Sequence, residues 1–318
     1  MADKPVLVMV GGATPRVRER LSERFRAIEW SEGDAPPEAK DAIAAAVYAG
    51  GSCSAETIDA MPNLRVIGNF GVGYDGVDAE HAAEKGIVVT NTPDVLDDEV
   101  ANTAILLLLA VDRKLVLYDR YVREGRWERE GTPPLTRGVR GRTVGIVGLG
   151  RIGSTVAEKL DKAFGARIVY HSRSKKDAPY PYYDDLVAMA READALIVVT
   201  PGGPDTEKLV SREVMEALGS EGTLVNIARG SVVDETAMIE LLQSGALGAA
   251  GLDVFEREPH VPEALREMSQ VVLSPHIGSA TEETRAAMGD LMVDNVLAVI
   301  NGKPPLTPVP ECKGIANS

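Results

Sequence analysis

Residues 143–160 read TVGIVGLGRIGSTVAEKL: an apolar run, then Gly148, Gly150 and Gly153 in G-x-G-x-x-G spacing, then a helical pattern. The first glycine allows a tight turn, the second lets backbone N–H groups approach a pyrophosphate, and the third lets helix and strand pack closely. That spacing alone also suits a Gly-rich turn of another kind or a ligand such as S-adenosylmethionine. A strand before it, a helix after it and a second strand ending about 20 residues on point to a dinucleotide. The second strand, ARIVYH at 166–171, runs into Ser172-Arg173-Ser174-Lys175-Lys176, where a carboxylate for a ribose 2′-hydroxyl is missing. Two hydroxyls and a guanidinium there suit a 2′-phosphate, which Arg173 can meet with bidentate hydrogen bonds. The turn therefore predicts NADPH in preference to NADH, which it does not exclude.

Working outward, apolar runs at 143–148, 166–171, 194–199, 223–227, 247–254 and 270–274 alternate with helical stretches, as in a doubly wound parallel sheet. Upstream, PVLVMV at 5, AAAVYAGG at 44, RVIGNFG at 65 and GIVVTN at 86 alternate in the same way. The fold class is α/β, with two such sheets. Residues 97–126 read as one long helix whose Leu-rich stretch is a packing face between domains or subunits. Asp234 reads as a helix cap. A last helix is expected to start at the capping-box pattern Ser279-Ala280-Thr281-Glu282 and to stop at Asn301-Gly302.

The chain has 318 residues, 44% of them hydrophobic and 26% charged, which suits a folded protein of about two domains. Aromatic residues make up only 4%, so the cores must be built from Ala, Val, Leu and Ile. The net charge of −14 repels nucleic-acid phosphates and anionic membranes, so an anionic ligand needs a locally basic site. Cys53 and Cys312 stand far apart and outside any metal-ligand spacing, and Met1 to Lys4 lead into no secretory signal. The longest apolar run, 104–111, falls far short of the roughly 20 residues that span a bilayer. The expected setting is a reduced cytoplasm, with no metal, nucleic acid or membrane as partner.

Three segments follow late strands of the second sheet: NIARGSVVDE (226–235), GLDVFEREP (251–259) and SPHIGSAT (274–281). Reduction of a 2-keto acid needs a cation for the carboxylate, a proton donor for the developing alkoxide and a partner for that donor. Arg229, His276 and Glu258 supply those three groups. Taken singly, each has a plainer explanation: a surface cation, a loop histidine, and a turn residue ahead of Pro259.

Together with the GLGRIG turn, these segments resemble the D-isomer-specific 2-hydroxyacid dehydrogenase family along almost the whole chain. The resemblance implies that Arg229 binds the substrate carboxylate and carbonyl, that His276 is the proton donor and that Glu258 orients its imidazole. It also implies that Asp253 holds the nicotinamide carboxamide and that Gly71-Val72-Gly73 offer backbone N–H groups to the substrate. Arg151 and Ile152 of the glycine turn, and Thr200 and Ile227 at later strand ends, join the expected cofactor residues. Ser52, in the Gly50-Gly51-Ser52 loop, joins Val72, Gly73 and Arg229 as an expected substrate contact.

The fold implied is a Rossmann cofactor domain, 99–280, and a smaller flavodoxin-like substrate domain built from 1–98 and 281–318, with a cleft between. The long helix resembles the family's dimerisation arm, so a homodimer is expected, with Trp127 reaching a neighbour's pocket or serving as a buried anchor. NTPDVLDDEVANTA (91–104) and the Ser-Arg-Ser turn look most like the NADPH-dependent glyoxylate/hydroxypyruvate reductase branch, which acts on small anionic 2-keto and 2-hydroxy acids. VVTPGGPDT (198–206) departs from a family pattern that carries a histidine and a PLT tripeptide. The alternative of another class is a dinucleotide-sensing, non-enzymatic interaction protein like the C-terminal-binding corepressors, which share this fold.

Overall fold

The computed structural model describes residues 4–30, 33–48 and 50–315, so most of the charged N-terminus read above lies outside the described residues. The chain divides into two compact units, Met1–Leu96 with Thr281–Ser318, and Asp97–Ala280. No helix among the described residues is long and apolar enough to cross a membrane.

The first unit is built on β1 (Val6–Val10), β2 (Arg26–Trp30), β3 (Ala42–Val47), β4 (Val66–Asn69) and β5 (Val88–Thr90). They pair in parallel in the order β2-β1-β3-β4-β5, the flavodoxin-like arrangement. Every residue of β1, VLVMV, is buried, as a strand covered by helices on both faces requires. Each such aliphatic side chain contributes about 1.5–3 kcal/mol when fully buried. β2 is an element the apolar pattern does not reveal. Its sequence RAIEW lies at the sheet edge with two residues exposed, so it has no need of a continuous apolar run.

The second unit carries β6 (Thr143–Val147), β7 (Arg167–His171), β8 (Tyr182–Tyr183), β9 (Ala195–Val198), β10 (Thr223–Asn226), β11 (Ala249–Leu252) and β12 (Val271–Leu273). The order is β12-β11-β10-β9-β6-β7-β8, parallel throughout. Strand order reverses between β6 and β9, and doubly wound sheets bind ligands at such a reversal. The sheet has one strand more than the six expected. β8 is only a two-residue pairing, anchored where Tyr170 N–H donates to Pro181 O at 3.0 Å, and a pattern of apolar residues has nothing to register there.

The expected single helix over 97–126 is three helices, Asp97–Asp112, Leu115–Arg123 and Arg126–Glu130. The chain turns left-handed at Lys114 (φ 51°) and again at Gly125 (φ 66°). The first break follows Asp112, whose carboxylate turns inward to pair with Arg142 and to accept from Thr223 Oγ1 at 2.8 Å. Burial pushes the Asp112 carboxyl up, against the opposing pull of Arg142 and Thr223. Asp194 completes this knot: its Oδ2 accepts from Thr143 N at 2.8 Å and its carbonyl accepts from Arg142 Nη2 at 2.8 Å.

The last helix runs Glu282–Ile300 and stops at Asn301 before Gly302 (φ 70°). Its cap is Thr281 rather than Ser279, because the Thr281 hydroxyl accepts from Thr284 N at 3.2 Å. Asp234 caps its helix as read from sequence, accepting from Ala237 N at 3.1 Å. Thr281→Ala should therefore lower the unfolding free energy by about 1 kcal/mol in chemical denaturation. Ser279→Ala should leave it within about 0.5 kcal/mol.

Candidate active site

The glycine turn joins β6 to the helix Arg151–Phe164. A Cβ on Gly153 would sit 2.1 Å from Gly148 O, and one on Gly148 would sit 2.9 Å from Thr200 N. A Cβ on Gly150 would meet nothing within 4 Å, so the turn is packed hard from behind and open at its second glycine. Gly150 caps the helix without a side-chain bond, and the first helical turn has no acidic residue. The N–H groups of that first turn and the positive end of the helix dipole are therefore available to an anion, and the residues present fit a pyrophosphate. Arg151 Nε lies 3.3 Å from Asp97 Oδ2. Ile152 is half-buried in the same turn.

At the end of β7 the basic turn is internally braced. Ser172 Oγ donates to Ser174 O at 2.7 Å, and the Tyr170 hydroxyl accepts from Lys176 N at 2.8 Å. Ser172 is thereby buried, whereas Arg173, Ser174 and Lys175 are exposed. The hydroxyl proton of Ser172 is spent on the turn itself, leaving Arg173, the Ser174 hydroxyl and Lys175 as outward donors.

Arg229 follows β10 in extended backbone (φ −145°). Asn226 braces it by accepting from Ala228 N at 3.0 Å and donating to Arg229 O at 2.9 Å. Arg229 Nη1 donates to Ala228 O at 2.8 Å. A Cβ on Gly230 would lie 2.0 Å from the Phe255 carbonyl carbon, so the N-x-x-R-G segment packs directly on the segment that carries Glu258. Glu258 Oε1 accepts from Phe255 N at 3.1 Å, and Oε2 lies 2.7 Å from His276 Nδ1. An ionised Glu258 can only accept, so the Nδ1 proton sits between them and Nε2 is the nitrogen left for exchange with a ligand. His276 holds φ 52°, a left-handed conformation that is uncommon for a residue with a Cβ. Thus Arg229, Glu258 and His276 are gathered on one unit, together with the glycine turn, Thr200, Ile227 and Asp253.

Sequence reading missed three contributors. Gly202, in the departing VVTPGGPDT stretch, lies against the Arg229 stem, where a Cβ would come within 2.8 Å of Arg229 Cγ. The Gly202-Gly203 pair directly after Pro201 was its signal. Asn69 and Asn91, in the other unit, take the carbonyls of the 71–73 loop: Asn69 Nδ2 donates to Gly71 O at 3.2 Å and to Gly73 O at 2.9 Å, and Asn91 Nδ2 donates to Val72 O at 2.9 Å. With its carbonyls engaged, that loop has the N–H groups of Val72 and Gly73 to offer a ligand. Ser52 is exposed in its own loop in the same unit.

The model of the D-isomer specific 2-hydroxyacid dehydrogenase NAD binding domain matches residues 105–278, more than half of the chain. The chain belongs to that family. Among its relatives, the hydroxyphenylpyruvate reductase of Plectranthus scutellarioides is 52% identical over 256 residues, 80% of this chain and 81% of that one. The glyoxylate/hydroxypyruvate reductase A of Arabidopsis thaliana is 49% identical over 262 residues, 82% and 83% of the two chains. A solved structure of the family, the NADPH-dependent glyoxylate/hydroxypyruvate reductase of Sinorhizobium meliloti in complex with NADP and malonate, superposes with a TM-score of 0.93 at 47% identity over 98% of each chain.

Burial works against the Glu258 carboxylate, but the His276 hydrogen bond and charge, the Phe255 N–H and the Arg229 charge outweigh it and hold the carboxyl below the usual glutamate range. A depressed folded value means that the stabilisation is present above the ordinary carboxylate pKa and is lost as pH falls through the folded one. The stability difference between wild type and Glu258→Gln should therefore be largest near neutrality and should begin to shrink as pH falls below the ordinary glutamate pKa of about 4.3, followed by urea denaturation across the pH range.

Proposed function

We propose that the chain reduces a small 2-keto acid, of the glyoxylate or hydroxypyruvate kind, to the D-2-hydroxy acid, with NADPH preferred to NADH. The observation that carries this reading is the 2.7 Å pair of His276 and Glu258, with Arg229 braced against the same segment, on the unit that bears the dinucleotide turn. Family membership and the names of the relatives support it. Asp97–Ala280 is the cofactor domain in this reading, and Met1–Leu96 with Thr281–Ser318 the substrate domain.

The first turn of the helix Arg151–Phe164 would hold the pyrophosphate, and Arg173 and Ser174 the 2′-phosphate. When bound, NADPH supplies the hydride. Arg229 binds the substrate carboxylate and draws electron density toward the keto oxygen. His276 donates the proton from Nε2 as that oxygen gains charge, while Glu258 accepts from Nδ1 and fixes the orientation of the ring. In the other unit, the N–H groups of Val72 and Gly73 and the exposed Ser52 are the groups that this reading assigns to substrate binding. The reading extends to a homodimer, supported by the exposed Leu106, Leu115, Val116 and Trp127 on the three consecutive helices, and to a cytoplasmic setting, supported by two free, buried cysteines.

Following NADPH absorbance with glyoxylate, hydroxypyruvate, phenylpyruvate and 2-ketogluconate tests the activity. Cofactor binding without turnover on any of them would favour the corepressor-like alternative. His276→Asn should lower kcat by about 10²–10⁴-fold, and Arg229→Ala should collapse kcat/KM with NADPH binding nearly intact. Arg173→Asp should shift the kcat/KM ratio of the two cofactors toward NADH by at least about tenfold, the worth of one charge-assisted hydrogen bond.

A further inference from the structure

We propose that Asp253 is the positioning residue that sets the conformation of the His276 loop, an inference that rests on the proton-donor reading above and goes beyond it. Asp253 directly follows β11 and is only 1% exposed. Its own N–H donates to Asn226 O at 3.0 Å, which fixes it to the end of β10. Its carbonyl accepts from His276 N at 2.8 Å. Its Oδ1 accepts from Ser274 Oγ at 2.6 Å and from Ile277 N at 2.8 Å, and its Oδ2 accepts from Gly278 N at 2.8 Å. Of residues 274–278, all but Pro275, which has no N–H, donate to this one residue.

A non-glycine residue persists at positive φ only where its surroundings over-determine it. The bonds to Asp253 do this on both sides of His276, whose own side chain makes none of them. A carboxylate is required, because both oxygens receive donors and only an ionised acid accepts at both. An amide in its place would turn an N–H toward the Gly278 N–H, or toward the Ser274 hydroxyl and Ile277 N–H. The loop must then move, and the His276 Nδ1–Glu258 contact moves with it. Misplacement by about 1 Å at a reacting group is enough for about 10²-fold in rate. The structure thus gives Asp253 a task beyond holding the nicotinamide carboxamide, since three of the about four lone-pair sites of its carboxylate are taken by the loop.

The test uses Asp253→Asn and Ser274→Ala in the full-length chain. With Asp253→Asn, kcat should fall about 100-fold, the alkaline limb of the kcat/KM pH profile for reduction, where the proton donor is lost, should move, and the NADPH dissociation constant should stay within about threefold. Amide hydrogen exchange at Ile277 and Gly278 should accelerate. Ser274→Ala removes one of the bonds without leaving a buried amide, and should lower kcat about fivefold, with intermediate exchange rates at the same amides. A tenfold weaker NADPH affinity with unchanged kcat and unchanged exchange would overturn the proposal in favour of a carboxamide contact. Should Asp253→Asn fail to fold, wild-type exchange and pH profile in Ser274→Ala would overturn it alone. Absence of turnover in the wild type would instead refute the activity, while the exchange rates of both variants would still decide whether Asp253 holds the loop.

Discussion

Parallel pairing is the constraint from which the rest follows. Because all seven strands of the second unit run the same way, their carboxyl ends share one edge, and each functional segment continues from such an end. Gly148 follows β6, Ser172 follows β7, Thr200 comes after β9, Arg229 after β10, Asp253 after β11 and Ser274 after β12. The opposite edge holds the buried Asp112–Arg142 pair and Asp194, which tie the amino ends of β6, β9 and β10 together. Asp112 is buried there and Arg142 half-buried, each the other's partner, and breaking such a pair leaves an uncompensated charge. One edge of the sheet is therefore mechanical and the other chemical.

Much of the candidate site is legible in sequence because its demands are local. A glycine whose Cβ would strike neighbouring backbone, as at Gly148 and Gly153, leaves a mark no other residue can make, and with Gly150 the spacing announces the turn directly. Arg229, Glu258 and His276 were legible as a set of chemical roles, since no single one of them differs from an ordinary surface residue. What sequence did not reveal depends on distant partners. The break at Lys114 follows from where Arg142 and Thr223 draw Asp112, and the cap of the last helix falls on whichever hydroxyl the chain path brings to Thr284. β2 and β8 are edge strands with little to bury, so their residues carry no apolar periodicity. Asn69 and Asn91 look like turn formers, and only the fold shows that they strip the 71–73 loop of its free acceptors.

Electrostatics runs against the overall balance. With a net charge of −14, long-range attraction does not gather anions, so positive charge must be placed where it is used. The helix terminus behind Gly150, the exposed Arg173 and the braced Arg229 are such placements. Other arginines pair with carboxylates on a different structural element, as Arg16 and Arg20 do with Asp290 and Arg212 with Glu240.

The first unit is assembled from both ends of the chain. Its core includes Val309 and Cys312, and Val89 N–H donates to Cys312 Sγ at 3.3 Å. The second unit, by contrast, is one uninterrupted stretch. On the ribosome, where domains generally fold as units in the order they emerge, the second unit is complete while the first still lacks a wall of its core. The nascent chain thus carries an open apolar sheet face until its last segment appears, and the apolar residues at 309 and 312 act as the closure of that early-made sheet.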